Sequence, residues 1–299
     1  MTTSVHTNRS ALIALQNLNN TNTKLGDTQS RISTGLKVQG AKDNAATWAI
    51  AQNQRADTSA LDSVKTSLNR ATSIADVSLA AGEQISDIIV ELKAKAVAAA
   101  DPSSSAASRK AYDDEFQSLL KSLQSFAENA TFDGENILKG TPNTPLSFLA
   151  SADAQEKIDL NRQDLTLVGL GLGAVAAVGS NPAIDAPSLL ETADAEAALA
   201  RVEAALGLSN SRLAELGAQA KQIEKHNVFV GKLMDSLEVG VGNLVDADLA
   251  KESARLQALQ VQQQLGTQSL SIANQAPQII LSLFQLKLNY TASTPWISG

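Results

Sequence analysis

Apolar residues in the middle of the chain recur at steps of three and four, which is the period of a helix with one buried face. Between residues 41 and 132 only one glycine and one proline interrupt this pattern. We therefore predict a long helix over residues 44–100, ended by Pro102, because proline lacks an amide donor and disfavours helix in the residue before it. A second stripe predicts a returning helix that ends near Thr131. Its apolar positions are Tyr112, Phe116, Leu119, Leu120, Leu123 and Phe126.

The pattern changes over residues 134–187, where glycine and proline separate short apolar runs. Residues 146–148 and 157–160 are such runs, and their length favours one or two β-hairpins within an irregular segment. Helical periodicity returns at about Ser188 and continues without proline to Ala276. Asp246 and Asp248 precede the last helix, where their carboxylates can accept hydrogen bonds from its first amides. The predicted order is helix, helix, short β insert, helix, helix.

The two ends of the chain are unusual helices. Leu18, Leu25 and Ile32 stand at sevenfold spacing near the start, and residues 256–286 contain no Asp, Glu, Lys or Arg over 31 positions. A charge-free, glutamine-rich helix is not typical of an isolated solvated helix, so we expect both ends to need a partner. Aromatic residues make up only 3% of the chain, which suits thin helix-on-helix packing. The predicted fold is mainly α: an elongated helical hairpin or coiled-coil bundle with paired N- and C-terminal helices and a small β-hairpin insert.

Composition excludes several classes of function. The formal net charge of −7 offers no electrostatic footprint for nucleic acid. The absence of cysteine excludes disulfides, cysteine-ligated zinc and thiol nucleophiles. The N-terminus lacks the apolar run of a cleaved signal peptide, and the glutamines of the C-terminal stretch argue against membrane insertion. We therefore expect neither nucleic acid nor a membrane as a partner.

Three groups of residues could suggest a chemical site, and none fits one. Gly169, Gly171 and Gly173 lack the spacing of a dinucleotide-binding loop and predict a flexible turn. His6 and His226 stand in no metal-binding spacing, and His226 is expected on a solvated helical face. The acidic run of residues 113–115 points in different directions on a helix and is also expected on a solvated face. We expect no catalytic residues, no cofactor and no metal.

Both ends of the chain carry long sequence motifs. At the N-terminal end these are Asn8-Arg-Ser-Ala-Leu12, Gln29-Ser-Arg31-Ile-Ser33-Thr-Gly35-Leu-Lys37-Val and Ala41-Lys-Asp43-Asn-Ala45-Ala46-Thr-Trp48-Ala-Ile50-Ala. At the C-terminal end they are Arg212-Leu-Ala-Glu-Leu-Gly217-Ala218, Asn243-Leu-Val-Asp246-Ala-Asp248-Leu-Ala-Lys-Glu252-Ser and Gln268-Ser-Leu-Ser-Ile272-Ala-Asn274-Gln-Ala-Pro277-Gln. These motifs resemble the N- and C-terminal signatures of bacterial flagellins, and the resemblance covers about residues 4–138 and 190–284.

The resemblance implies an arrangement in layers around a tubular filament. Residues 1–42 and 249–299 would form an inner coiled-coil layer that lines the channel. Residues 43–140 and 188–248 would form an outer helical layer, and residues 141–187 a short variable insert of β-hairpin and loop. The residues expected to pair the terminal helices and support polymerisation are Leu18, Leu25, Arg31, Ile32, Gly35, Leu36, Asp43, Asn44, Leu249, Leu256, Leu259, Leu270, Ile272 and Asn274.

The function implied is that of a structural subunit that polymerises into the bacterial flagellar filament for swimming motility. The alternative is a hook-filament junction protein, which shares related ends. We do not expect a peptidase in the insert, because the insert is short and no H-E-x-x-H motif occurs. The implied partners are further copies of the chain, other flagellins, a secretion chaperone, and cap and hook-junction proteins. The implied location is the extracellular flagellum, reached through the flagellar secretion channel without a cleaved signal peptide.

Overall fold

A computed structural model describes residues 8–140, 144–173 and 187–292, with side chains described as far as Gln275. The elements in chain order are α1 (Arg9–Thr34), α2 (Ala45–Ala100), α3 (Ala106–Asn129), β1 (Pro145–Leu149), β2 (Lys157–Asn161), α4 (Thr192–Val245) and α5 (Leu249–Ala292). The predicted mainly α fold, with paired terminal helices and a small β-hairpin insert, is confirmed. The chain folds as two compact units: a terminal unit of Met1–Gln54 with Val239–Gly299, and a central unit of Arg55–Glu238.

The central unit holds most of the apolar core. Ile89 of α2, Phe116 of α3 and Val202 of α4 are fully buried together, and Leu160 of β2 joins them. Each buried side chain of this size contributes roughly 1.5–3 kcal/mol. The terminal unit has only a small second core, in which Leu36, Trp48 and Leu244 pack around four buried residues. These are Val38, Ala51, Val241 and Val245. Stability is therefore concentrated in the central unit.

The predicted break at Pro102 is confirmed, and hydrogen bonds shape it. The amide of Ser103 donates to Oδ1 of Asp101 at 2.8 Å, and this bond is the main reason why the pKa of Asp101 is lowered. Ser105 then caps α3, because its hydroxyl oxygen accepts from the amide of Ser108 at 3.1 Å. Each polar group satisfies a backbone donor that the turn would otherwise leave free.

A single antiparallel hairpin occupies the described part of the insert. Phe148 pairs with Ile158, and both side chains are buried against the core. On the opposite face, the exposed hydroxyl of Ser147 donates to Oδ1 of Asp159 at 2.6 Å. The alternation of buried and exposed positions is that of a strand pair with one solvated face. Residues 141–143 and 174–186 of the predicted insert lie outside the described residues.

The glycine-rich segment after β2 is a turn, as predicted, but it is anchored. Leu165, Leu167, Leu170 and Leu172 are all buried. Gly171 has φ 72°, a backbone conformation that favours glycine. The turn therefore packs its leucines into the core, whereas a phosphate-binding loop presents backbone amides to a ligand.

Two residues predicted on solvated faces, Asp113 and His226, contact other segments instead, whereas Asp114 and Glu115 of the acidic run are exposed, as predicted. Asp113 of α3 accepts a hydrogen bond from the amide of Leu189 at 2.8 Å. This bond holds the chain before α4, which begins at Thr192 and not at Ser188. His226 is half-buried, and its Nε2 lies 2.8 Å from the carbonyl oxygen of Ala150 at the end of β1. Both side chains bind backbone groups of segments distant in sequence, which the helical pattern alone does not reveal. His6 lies outside the described residues.

Candidate functional site: the paired terminal helices

Helices α1 and α5 pack against each other in antiparallel directions within the terminal unit. Three polar contacts mark their register. Asn8 Nδ2 donates to the carbonyl oxygen of Ala273 at 2.6 Å, and Gln263 Nε2 donates to Oδ1 of Asn22 at 2.8 Å. At the other end, Arg31 Nη1 donates to Oε1 of Glu252 at 3.4 Å. The contacts span almost the whole of α1, so the pairing is continuous.

The line of contact, which we call the seam, follows a heptad rhythm on both helices. Its positions alternate at steps of three and four, as in a coiled coil, and each is buried or half-buried. On α1 they are Ala11, Ala14, Leu18, Thr21, Leu25, Thr28 and Ile32. On α5 they are Glu252, Leu256, Leu259, Gln263, Gly266, Leu270 and Ala273.

The seam is polar for a helix interface. The buried residues of α1 are two threonines, Thr21 and Thr28. The hydroxyl of Thr21 donates to the carbonyl oxygen of Asn17 at 2.9 Å, so its polar group is satisfied within its own helix. On α5 the most buried apolar seam residue is Leu259, at 6% exposure. Few large apolar side chains leave water, and the pair gains correspondingly little from burial.

The helices lie close together at Gly266. A Cβ atom at this position would lie 3.2 Å from Cδ1 of Leu18 and 3.8 Å from its Cβ. Glycine therefore lets α5 lie directly against the leucine of the facing helix. A larger side chain at residue 266 would force the two axes apart, because the backbone of α5 can approach Leu18 this closely only where its own residue has no side chain.

An ion pair closes the seam where α1 ends and α5 begins. The side chain of Glu252 is 11% exposed and that of Arg31 is 33% exposed. Arg31 lies in the last turn of α1 and Glu252 in the first turn of α5. Each charge therefore also interacts favourably with the dipole of its own helix. Oε2 of Glu252 has no hydrogen-bond partner among the described residues, so Arg31 is the contact that compensates this buried carboxylate.

The chain after α1 is fixed by hydrogen bonds to the end of α4. Gly35 caps α1 with φ 72°, and its carbonyl oxygen accepts from the amide of Ala247 at 2.8 Å. The amide of Lys37 donates to the carbonyl oxygen of Val245 at 2.6 Å. These bonds join the start of the connection after α1 to the segment that leads into α5.

Two side chains organise the rest of that connection. Oδ2 of Asp43 accepts from the amides of Gln39 and Gly40 at 2.9 and 3.3 Å. Oδ1 of Asn44 accepts from the amide of Thr47 at 3.1 Å and caps α2. Asp248 caps α5 in the same way, by accepting from the amide of Lys251 at 3.1 Å, and this confirms the predicted cap.

The structure brings together most of the residues predicted to pair the helices. Six lie in the seam: Leu18, Leu25, Ile32, Leu256, Leu259 and Leu270. Arg31 forms the ion pair, and Gly35, Leu36, Asp43 and Asn44 lie in the connection between α1 and α2. Leu249, Ile272 and Asn274 are exposed and lie outside the seam.

Sequence reasoning missed several seam residues. Thr21, Thr28, Gln263 and Gly266 lie in the seam although none of them is a large apolar residue. The signal that could have found them is the heptad itself, because each falls on a position that alternates with the leucines.

Among the residues that the structure describes, no three histidine, cysteine or acidic side chains come together as a possible metal site. Within the same described ranges, no helix is both long and apolar enough to cross a membrane.

Comparison with known proteins identifies the family. The bacterial flagellin N-terminal helical region matches residues 5–143, and the bacterial flagellin C-terminal helical region matches residues 191–284. Flagellin FljM of Caulobacter vibrioides is 48% identical over 94% of this chain and 98% of its own length. A flagellin of Brucella melitensis is 40% identical over 94% of this chain and 99% of its own length.

The crystal structure of Bacillus cereus flagellin aligns with 55% of this chain and 87% of that chain, at 20% identity and a TM-score of 0.46. The assignment rests on the sequence matches, which do not favour the alternative of a hook-filament junction protein. The chain belongs to the bacterial flagellin family and is a structural subunit of the flagellar filament, not an enzyme.

Proposed function

We propose that the antiparallel pair of α1 and α5 is the assembly surface of this subunit and is completed by neighbouring copies in the filament. The observation that carries the proposal is the apolar surface left uncovered on both helices. Leu12, Ile13 and Leu15 of α1 are 58%, 52% and 43% exposed, and Val261 and Leu265 of α5 are 56% and 57% exposed. Contiguous apolar surface of this kind is typical of a protein interface.

The polar seam supports coupling between helix order and assembly. Ordering the backbone of one residue costs about 1–2 kcal/mol, and a seam of mostly half-buried leucines with two buried threonines offsets little of it. Burial against neighbouring copies supplies the missing free energy, because any partner that binds only the ordered state stabilises that state. The terminal helices are therefore expected to be disordered in the free monomer and ordered in the polymer.

The layers proposed from the sequence agree with this role. Residues 1–42 and 249–299 form the inner coiled-coil layer around the channel, and residues 43–140 and 188–248 form the outer layer. Residues 141–187 are the variable insert. What supports an inner position for α5 is the charge-free, glutamine-rich stretch of residues 256–286, since an uncharged polar surface can line a wet channel without attracting or repelling charged cargo.

Export and its partners follow from the same properties. The subunit travels unfolded through the flagellar secretion channel without a cleaved signal peptide, and weakly ordered ends suit this route. A secretion chaperone covers the apolar C-terminal helix before assembly, and cap and hook-junction proteins contact the ends of the filament. The lack of cysteine supports the route, because no disulfide can lock the chain before export.

Electron microscopy of polymer grown from the purified chain tests the proposed function. We expect hollow tubular filaments. If the intact chain forms only amorphous aggregates or stays monomeric under conditions that polymerise related flagellins, the proposal is wrong.

Replacing Asn8 tests the contact between α1 and α5 at the start of α1. Its Oδ1 accepts from the amide of Ala11 at 3.1 Å, and its Nδ2 donates to Ala273. Asn8→Ala removes the helix cap and the contact between the helices, each about 1 kcal/mol. Together these losses should raise the lowest protein concentration that supports filaments by up to about thirtyfold, measured by sedimentation. Asn8→Ser retains a capping oxygen but lacks the amide donor to Ala273, and should show a smaller rise; assembly of Asn8→Ser at the native concentration would assign no role to the contact between the helices.

The last residues provide a second prediction. The flagellin match ends at residue 284, and residues 293–299 lie outside the described residues. Removing residues 286–299 is expected to leave polymerisation intact, because the seam positions and the polar contacts described between α1 and α5 all lie before residue 276. The same sedimentation measurement checks this, and loss of filaments would show that the tail takes part in assembly.

A further inference from the structure

We propose that three glycines in α4 weaken the central unit so that it opens readily for export. They are Gly207, Gly217 and Gly231, and each lies at least 14 residues from either end of the helix. The inference rests on the proposed export of the unfolded chain. It adds to that proposal the part of the fold whose low stability makes unfolding easy.

Glycine is unfavourable inside a helix, because its backbone has more freedom to lose on folding than that of alanine. In a helix interior each glycine lowers the ratio of folded to unfolded protein about fivefold relative to alanine. α2 contains one glycine in 56 residues and α3 none in 24, whereas α4 contains five in 54. Of these three helices, α4 therefore carries most of this penalty.

Packing within the subunit does not require the three glycines. Apart from neighbouring parts of α4 itself, a Cβ atom added at Gly207, Gly217 or Gly231 would have no atom of the described residues within 4 Å. None of the three has the positive φ that favours glycine. Alanine would fit at each position, so the subunit is less stable than its own packing allows.

Gly82 of α2 shows the contrasting case of a glycine that packing requires. A Cβ atom there would clash with the side chain of Leu213 and lie 3.3 Å from Cδ1 of Leu165. Alanine at residue 82 is therefore expected to destabilise the core. Alanine at the three positions of α4 should stabilise it instead, because the unfolded chain loses freedom and the folded chain meets no obstacle.

A weak α4 affects the whole central unit, because the helix supplies part of its core. Val202, Leu216 and Val230 of α4 are buried in the same core as Ile89 of α2 and Phe116 of α3. Gly217 and Gly231 directly follow two of these core residues in the sequence. Unwinding α4 at a glycine therefore exposes core side chains, and the penalty of each glycine applies to the unit as a whole.

The central unit is the part of the subunit that most opposes export. The terminal pair has a polar seam and few buried apolar residues, whereas the central unit holds most of the core. Removing a core side chain would weaken this unit but would leave a cavity in the folded subunit. Glycines without packing partners lower its stability while the core of the folded subunit keeps its close packing.

The triple variant Gly207→Ala, Gly217→Ala and Gly231→Ala tests the effect on stability. At 1.5 Å per residue the sites lie about 15 Å or more apart along the helix, so their effects should add. We expect the melting temperature of the purified full chain, as monomer, to rise by about 6–12 °C. The measurement is circular dichroism during heating.

Export is then measured in cells that produce only one form of the chain, as the fraction of it found outside the cells after a fixed time. We expect the triple variant to be exported several-fold more slowly than the native chain, because a more stable unit opens more slowly. The purified triple variant should polymerise at the same concentration as the native chain, since the inference assigns these positions no contact.

A chain with the native amino-acid composition provides the matched control. It combines the triple variant with glycine at three exposed alanines of the same helix, as Ala204→Gly, Ala214→Gly and Ala218→Gly. The number of glycines in α4 is then native while their positions differ. We expect both the melting temperature and the rate of export to return close to the native values.

Four outcomes would overturn the inference. An unchanged melting temperature of the triple variant would show that the glycines do not weaken the unit, and a raised one with native export would show that this stability does not slow export. Loss of polymerisation by the triple variant would assign the free space to a neighbouring copy. Slow export of the control chain at a native melting temperature would assign a role to the positions themselves. Failure of the native chain to form filaments would instead refute the proposed function.

Discussion

Replacing Gly266 with leucine is expected to prevent filament assembly at concentrations at which the native chain polymerises fully. A Cβ atom at this position would already lie 3.2 Å from Cδ1 of Leu18, and leucine adds three further carbons. Overpacking of this kind costs about 1–3 kcal/mol, and a seam with few buried apolar residues has little to offset it. We expect the filament-forming concentration to rise by about ten- to a hundredfold, measured by sedimentation and electron microscopy.

Two controls separate the clash from a general effect of substitution. Gly266→Ala meets only the flexible tip of Leu18, and its higher helix propensity of about 1 kcal/mol offsets the displacement, so assembly should stay near that of the native chain. Gly26→Leu lies on α1, where an added Cβ atom would have no neighbouring side chain within 4 Å among the described residues, and should be far less harmful. Normal assembly of Gly266→Leu would show that the helices do not pack at this point.

Arg31→Ala is expected to weaken assembly almost as strongly. It removes the cation 3.4 Å from Glu252 and leaves a carboxylate that is 11% exposed without a counter-ion. Breaking a fully buried pair costs about 3–5 kcal/mol, and because Arg31 is partly exposed we expect about 1–3 kcal/mol here. The filament-forming concentration should rise by at least about fivefold. The measurement is the same sedimentation assay.

The double variant Arg31→Ala with Glu252→Met identifies the cause. Methionine fills the seam without a charge, and replacing a buried ion pair by apolar residues is often neutral. The double variant should therefore assemble better than Arg31→Ala alone. If both assemble equally poorly, Arg31 acts through a contact other than Glu252, and the ion pair does not hold the ends of the helices together.

The helices and strands were predictable because each one has a pattern of residues that can be read within its own segment of the sequence. The stripe before Pro102, the break there and the apolar runs of the hairpin depend on backbone propensity and spacing within a few residues. The predicted end of the long helix at residue 100 agrees with that of α2. Leu18, Leu25 and Ile32 of the seam were predictable for the same reason, because their sevenfold spacing can be read from one helix alone.

Contacts between distant segments were not predictable in this way. The antiparallel register that places Gly266 against Leu18 depends on the facing helix. The same holds for Asp113, which binds the segment before α4, and for His226, which lies against the hairpin. In each case the role of a polar or small residue depends on a partner far away in sequence. Composition and periodicity describe one segment at a time, so they do not reveal that contact.

Amide hydrogen exchange of the intact chain, as monomer and as filament, tests most directly whether neighbouring copies complete the helix pair. Residues 10–33 and 252–274 should exchange rapidly in the monomer and slowly in the filament, because their order depends on assembly. The buried segments of the central unit should be protected in both states and serve as the internal control. Strong protection of residues 10–33 in the monomer would contradict the account.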